Sequence, residues 1–219
     1  MSGALDLLSE NFGAFASGLW VTIRIVGVAF VIAMVVGTAV AGLRVAPSKA
    51  LNRIGGIYVE TFRNIPLLVL LLILYIGVRR AGLPISAWVA GTAGLGLYTA
   101  AYIAEALRSG VFAVGKGQIE AALSLGMTYP RTMRRIILPQ AFRTVIPAIG
   151  SLIIAMVKNS AIVGASLLAL PDLLKESRVI QSETAQTEAF LWAAVGYLLI
   201  TVTVTVIFRQ LETRYAVRR

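Results

Sequence analysis

The chain is 219 residues long, 58% hydrophobic and only 14% charged, with a formal net charge of +10, whereas soluble domains carry about 25% charged and about 45–50% apolar residues. It contains neither cysteine nor histidine, which excludes disulfide frameworks, thiol nucleophiles, zinc-finger spacings and histidine-based acid–base or metal chemistry. Aliphatic residues in long blocks predict an integral membrane protein, in which an excess of basic residues marks a cytoplasmic face rather than a nucleic-acid partner.

The first stretch, residues 1–18, holds Asp6 and Glu10 but no Lys or Arg, so it lacks the basic n-region of a signal peptide and is expected to be an extracytoplasmic segment. Apolar runs follow at about Leu19–Leu43, Ile65–Val78, Ile85–Leu107, Val145–Leu170 and Phe190–Phe208. A helix of roughly 20 residues crosses a hydrocarbon core of about 30 Å, so the fold class expected is all-α integral membrane with about five transmembrane helices. The second run is short unless it begins near Ile57, which would put Glu60, Arg63 and Asn64 in its first turns. Pro66 would then fall in the opening part of that helix, where proline costs least. Residues 19–215 read as a single transmembrane domain, with 216–219 as a cytoplasmic tail.

Orientation follows from where Lys and Arg accumulate. Five spans put Arg44, Lys49, Arg53 and Arg63, the cations of the 108–143 segment, and Arg209, Arg214, Arg218 and Arg219 on one side. Arg79, Arg80, Lys158, Lys175 and Arg178 fall on the other. The basic side is the cytoplasmic one, so the N-terminus is expected outside and the C-terminus inside.

The segment from Arg108 to Arg143 is therefore the largest cytoplasmic feature. It reads Glu120-Ala121-Ala122, three residues, Gly126, nine residues, Ile136, one residue, Leu138-Pro139. This spacing resembles the EAA loop of binding-protein-dependent ABC importer permeases, and every fixed position is matched. Glu60-Thr61-Phe62-Arg63-Asn64-Ile65-Pro66-Leu67-Leu68 and the run Ala101 to Gly110 with Lys116-Gly117-Gln118 look like signatures of the histidine/glutamine/glutamate branch of that family. So do Leu138-Pro139-Gln140-Ala141-Phe142-Arg143 with Pro147, and Lys158-Asn159-Ser160, although the family more often has Lys-Asp-Thr-Ser-Leu at the last point. The likeness runs from about Trp20 to Phe208.

The resemblance implies a MetI-like ABC importer transmembrane fold with a cytoplasmic EAA coupling helix. It further implies Glu120, Ala121, Ala122, Gly126, Leu138 and Pro139 as the contact that couples to ATPase subunits. Small alanines let a short helix pack closely, Gly126 can take a turn conformation closed to other residues, and Pro139 is expected to interrupt the chain before the next span. The implied partners are two ATP-binding subunits, a second permease subunit (a copy or a homologue), an extracytoplasmic solute-binding protein and the lipid bilayer, with no nucleic acid. The expected location is the bacterial cytoplasmic membrane. ATP and magnesium would sit on the ATPase subunits, so no cofactor, metal or catalytic residue is expected on this chain.

Gly110-x4-Gly115-Lys116 imitates a phosphate-binding P-loop, but Gly117 stands where the magnesium-binding hydroxyl belongs and a membrane helix precedes it in place of a strand. Glu60, Arg63, Glu105 and Arg108 are expected at the cytoplasmic edge as ion pairs or a gate. Tyr98, Tyr102 and Glu105 share a helix face at i, i+4, i+7, a pathway lining or simple packing. Lys158, fifteen residues beyond Arg143, would reach the outer half of the membrane. There it could receive a substrate carboxylate, with Asn159 and Ser160 adding hydrogen bonds, or pair with a partner subunit or snorkel; Arg24 is open in the same way. Ala90 and Gly94, then Gly96, Ala100 and Ala104, form close-packing stripes, and the polar stretch Pro171–Glu188 reads as outer surface.

The function expected is a permease subunit of an ATP-driven importer of polar amino acids, with glutamate or glutamine favoured by the Lys158-Asn159-Ser160 variant and by the scarcity of acids deep in the spans. A gradient-driven secondary transporter or channel is the alternative, although no clear internal repeat supports it. A membrane enzyme would need a cluster of acids or a metal site that the chain lacks.

Overall fold

The computed structural model describes residues 2–166, 168 and 170–215; the expected tail at 216–219 lies outside them. The described residues form helices and no strand. In chain order these are α1 (Ser2–Val45), α2 (Lys49–Asn64), α3 (Leu67–Leu72), α4 (Val78–Arg80), α5 (Ala87–Ala113), α6 (Lys116–Ser124), α7 (Tyr129–Thr132), α8 (Leu138–Ala165), α9 (Leu173–Thr184) and α10 (Glu188–Tyr215). Two π-helical turns, Ile73–Gly77 and Met133–Ile137, join α3 to α4 and α7 to α8.

Among the described residues, three helical stretches are long and apolar enough to cross a membrane: Gly3–Val45, Tyr129–Ala165 and Glu188–Arg214. The α3–α4 stretch meets the same test only together with α2, from which it is bent by 104° at the break between them. The 27-residue α5 has the length to cross but is not one of these stretches, and it is the central helix, packed on α1 and α8. Its Ala, Gly and Thr positions are buried against protein, so they have no need to be lipid-soluble.

Four boundaries differ from the sequence reading. Residues 1–18 do not form a separate segment, because α1 is already helical from Ser2, with one irregular residue at Asn11. Leu7 and Phe15 bury against Leu173, Ile180, Ala189 and Ala193, and Trp192 Nε1 donates to Ala4 O at 2.8 Å. Nor does the second crossing begin near Ile57 as one helix. Pro66 lacks an N–H and restricts Ile65 to extended backbone (φ −89°, ψ 129°), so the chain turns there. Glu60, Arg63 and Asn64 consequently belong to α2.

The cytoplasmic segment expected over 108–143 is shorter than its sequence suggests: α5 continues to Ala113 and the next long apolar helical stretch begins at Tyr129. Pro139 does not interrupt the chain. It sits in the first turn of α8, and the widened turn before it, closed by Leu138 N–H to Met133 O, absorbs the hydrogen bond and the space the ring removes. Finally, Pro171–Glu188 is not a surface loop. It contains α9, which buries Leu173, Ser177 and Ile180 against α1, α8 and α10.

The small residues of α5 do what their spacing predicts within the subunit. A side chain at Gly94 would meet Leu71, and one at Gly96 would come within 2.8 Å of Ile32. From the other side, Gly37 lets α1 approach so closely that a Cβ there would lie 2.9 Å from Ala100 O. The main core, with Ile25, Leu71, Leu95, Met156 and Val157 at its centre, lies where α1, α3, α5 and α8 meet.

Candidate functional site

The first arrangement is a groove between α5 and α8. Tyr98 and Tyr102 lie one turn apart and their hydroxyls meet at 3.1 Å. With Thr99, Leu152, Ala155, Met156 and Asn159 they line a cleft of about 210 Å³. A second cleft of about 350 Å³ continues along the same two helices past Tyr102, Glu105 and Ser109 of α5 and Ala148, Ser151 and Leu152 of α8, with Arg63 of α2 at its side. Small α8 residues at turn spacing leave the space, and polar atoms come from both helices: the tyrosines of α5, and Ser151 and Asn159 of α8.

At one end of this groove Glu105 accepts from Arg108 through both Nε (3.1 Å) and Nη2, and Arg44 Nη2 of α1 lies 3.4 Å away. Arg63 makes a cation–π contact with Tyr102 at 5.3 Å. Three cations thus converge on one carboxylate. Glu60, grouped with them by sequence, forms no ion pair among the described residues; its carbonyl accepts from Asn64 Nδ2. Arg44 was missed by the sequence reading, although a lone arginine ending an apolar run at the same end as Glu105 was a usable signal.

The trio Lys158, Asn159 and Ser160 does not act together. Successive helical residues are rotated by about 100°, so only Asn159 lines the cleft. Ser160 is fully buried and donates to Val157 O at 2.7 Å, and Lys158 is exposed. Within this subunit the three side chains therefore face three different surroundings. Arg24, also exposed, lies 5.0 Å over the Trp88 ring.

The second arrangement is α6 and its turn. Glu120, Ala121, Leu123 and Leu125 are exposed, whereas Ala122 is buried, and Ile119 packs with Val111, Val114, Met133, Ile136 and Ile137. Gly126 has φ +77°, the left-handed region that glycine reaches without strain. Its N–H bonds to Leu123 O at 2.9 Å and that of Met127 to Ala122 O at 3.1 Å, closing the end of α6. Leu138 and Pro139 are exposed at the start of α8, beyond the π turn. Within the P-loop-like string, Gly110 lies inside α5 against Val145 and Gly115 caps α6, so no phosphate loop forms.

Sequence reasoning missed a third feature. Asp172 is fully buried, capping α9 by accepting from Lys175 N–H at 2.9 Å and from Tyr197 Oη–H at 3.2 Å. Beside it, Thr22 Oγ1 accepts from Leu173 N–H at 3.1 Å. Gly164 makes the space, since any Cβ there would overlap the Asp172 carboxylate. Burial pushes the Asp172 carboxyl up to about 6, against the opposing pull of its two hydrogen bonds and of Arg178.

Comparison with known proteins agrees with this architecture. Residues 31–217 match the family described as binding-protein-dependent transport system inner membrane component. The Probable glutamine ABC transporter permease protein GlnM of Bacillus subtilis (strain 168) is 39% identical over 211 residues, covering 96% of this chain and 97% of GlnM. The glutamate transport system permease protein GluC of Corynebacterium efficiens (strain DSM 44549 / YS-314 / AJ 12310 / JCM 11189 / NBRC 100395) is 34% identical, covering 91% and 93%. A chain of the crystal structure of an amino acid ABC transporter with histidines superposes with a TM-score of 0.88 at 36% identity, covering 94% of this chain and 96% of that one. Matched over most of its length by family, relatives and fold, the chain belongs to the binding-protein-dependent transport system inner membrane components, as an ABC importer permease of the multi-pass inner membrane class.

Proposed function

We propose that this permease carries glutamine or glutamate inwards along the α5–α8 groove, and that α6 is the element through which separate ATPase subunits drive it. The observation that carries the coupling role is the α6 tip. Ala121, Leu123 and Leu125 are exposed beside a glycine turn whose φ is +77°, a rigid apolar knob that suits a groove on a partner. Substrate choice is supported by the relatives named for glutamine and glutamate and by the groove's chemistry. Tyr98, Tyr102 and Asn159 offer neutral donors and acceptors, and the acid at its end, Glu105, is already paired with Arg44 and Arg108, leaving little to attract a cationic substrate.

In this reading a second permease subunit completes the path and a solute-binding protein delivers substrate at the outer face. ATP and magnesium are bound by the ATPase chains. The basic end bearing Arg44, Lys49, Arg53 and α6 is cytoplasmic, so the N-terminus lies outside. Binding and hydrolysis of ATP would shift the bundle between outward and inward openings. The test is reconstitution of the complex purified from its own membranes into proteoliposomes, with its binding protein and labelled glutamine or glutamate. ATP-dependent accumulation is expected; accumulation driven by an ion gradient without ATP would favour a secondary transporter.

A further inference from the structure

A cavity of about 600 Å³ lies outside the groove, at the elbow where α1 ends and α2 begins. Its polar lining is Arg44, Ser48, Lys49, Asn52, Arg53 and Glu60, three cations against one carboxylate. Arg44 Nε is buried with no hydrogen-bond partner among the described residues, and the guanidinium lies along α2 because residue 56 is glycine: a Cβ there would sit 2.8 Å from Nη1. Lys49 and Arg53, one turn apart on α2, form no salt bridge among the described residues. A basin with surplus positive charge calls for an anion.

Helix α2 narrows the choice of anion. It meets the following stretch, Leu67–Arg80, at 104°, so when that stretch crosses the bilayer α2 lies close to the membrane plane. Around α2, Gly55, Gly56 and Val59 are buried against the protein. Next to them runs the polar row of Lys49, Arg53 and Glu60, and beyond it an aliphatic row, Ile57, Ile54 and Leu51, exposed by 58%, 57% and 41%. A cationic row alongside an aliphatic one on a helix lying in the plane matches a headgroup and its acyl chains.

We propose that this elbow binds a phosphate-bearing anion, namely the headgroup of an anionic phospholipid in the adjoining leaflet, with its acyl chains along Ile57, Ile54 and Leu51. Arg44 and Arg53 supply planar donors to the phosphate oxygens, Lys49 a point charge, and Ser48 and Asn52 hydrogen bonds to the glycerol side. Glu60, at the edge of the basin, limits the site to one headgroup by repelling a second anion. The assignment is independent of which amino acid is carried.

The complete complex with its ATPase subunits, held in nanodiscs of phosphatidylcholine with graded phosphatidylglycerol, provides the test, read by native mass spectrometry of retained lipid. Two cations, each worth about fivefold near an anionic surface, make the expected loss of phosphatidylglycerol affinity in K49Q/R53Q about twenty-five-fold. A second variant, Ile54→Asn, is expected to weaken phosphatidylglycerol retention while leaving binding of inorganic phosphate unchanged. Equal retention by K49Q/R53Q and the unaltered chain would overturn the site. Displacement of the lipid by millimolar inorganic phosphate, with Ile54→Asn behaving as the parent, would overturn the lipid assignment. Loss of the ATPase subunits from K49Q/R53Q without change in bound lipid would show a protein contact instead, and likewise overturn it.

Discussion

Asp172 is the residue whose environment departs furthest from its sequence context. Its neighbours Lys175, Glu176 and Arg178 read as solvent-facing, yet the carboxyl is fully buried under Gly164 and its pKa is pushed up to about 6. A carboxyl whose folded pKa exceeds its unfolded one favours the fold while protonated; that contribution is complete below about pH 4 and is lost as pH rises through about 6. Near pH 8 the buried charge costs on the order of 3 kcal/mol. Asp172→Asn keeps an acceptor for Lys175 N–H and for Tyr197 without the charge. It is expected to raise the unfolding midpoint of the detergent-solubilised complex at pH 8 and to leave it nearly unchanged at pH 4.5; a lower midpoint at pH 8 would mean that the carboxylate gains a cation in the assembly. Nothing local could have revealed this residue, because its burial is made by Gly164, Tyr197 and Thr22, distant in sequence. The separation of Lys158, Asn159 and Ser160, in contrast, was legible from helical geometry alone: residues two apart point about 200° away from one another.

Among the elements, α6 and its turn were the most readable, since the spacing from Glu120 to Pro139 specifies a short helix and a glycine turn. The structure supplies both, with Gly126 at φ +77°. Gly126→Val forces a β-branched residue into that region and is expected to destabilise the turn by roughly 1–3 kcal/mol. The chain should still insert and retain its long helices by circular dichroism, while ATP-dependent uptake falls at least tenfold; uptake at the parental rate would remove α6 from the coupling role. The elements read least well were those that depend on packing. The N-terminal part of α1 is helical because Leu7 and Phe15 find α9 and α10, and α9 is buried by partners distant in sequence. Composition recognises hydrophobic spans, but not a half-polar helix held between them.

For the whole molecule, the cysteine-free sequence makes the proposed orientation directly measurable. Leu125, exposed by 84% at the tip of α6, and Glu183 near the end of α9 occupy opposite ends of the expected topology. In intact cells a membrane-impermeant maleimide is expected to label Glu183→Cys and to spare Leu125→Cys until the membrane is opened. The reverse pattern would invert the orientation and place the α6 tip outside. Five apolar runs stand out in the sequence, whereas among the described residues three helical stretches pass as spans alone and one bent pair passes together; that bend and the central place of α5 emerge only from how the helices pack.

The widened turn at Met133–Ile137 bears on how this bundle tolerates change in its length. Such a turn is one residue longer than the α-helical turn it replaces, so it stores a spare residue in the rod that connects the α6 tip to the α8 wall of the groove. Loss of one residue within it would tighten the turn to ordinary helix and leave Ala148, Ser151, Ala155 and Asn159 facing α5. The same loss one turn further along would swing that whole wall by about 100° and close the groove. A one-residue deletion at this point can therefore be absorbed without altering the groove, which makes it a natural seam between the α6 arm and the α8 wall.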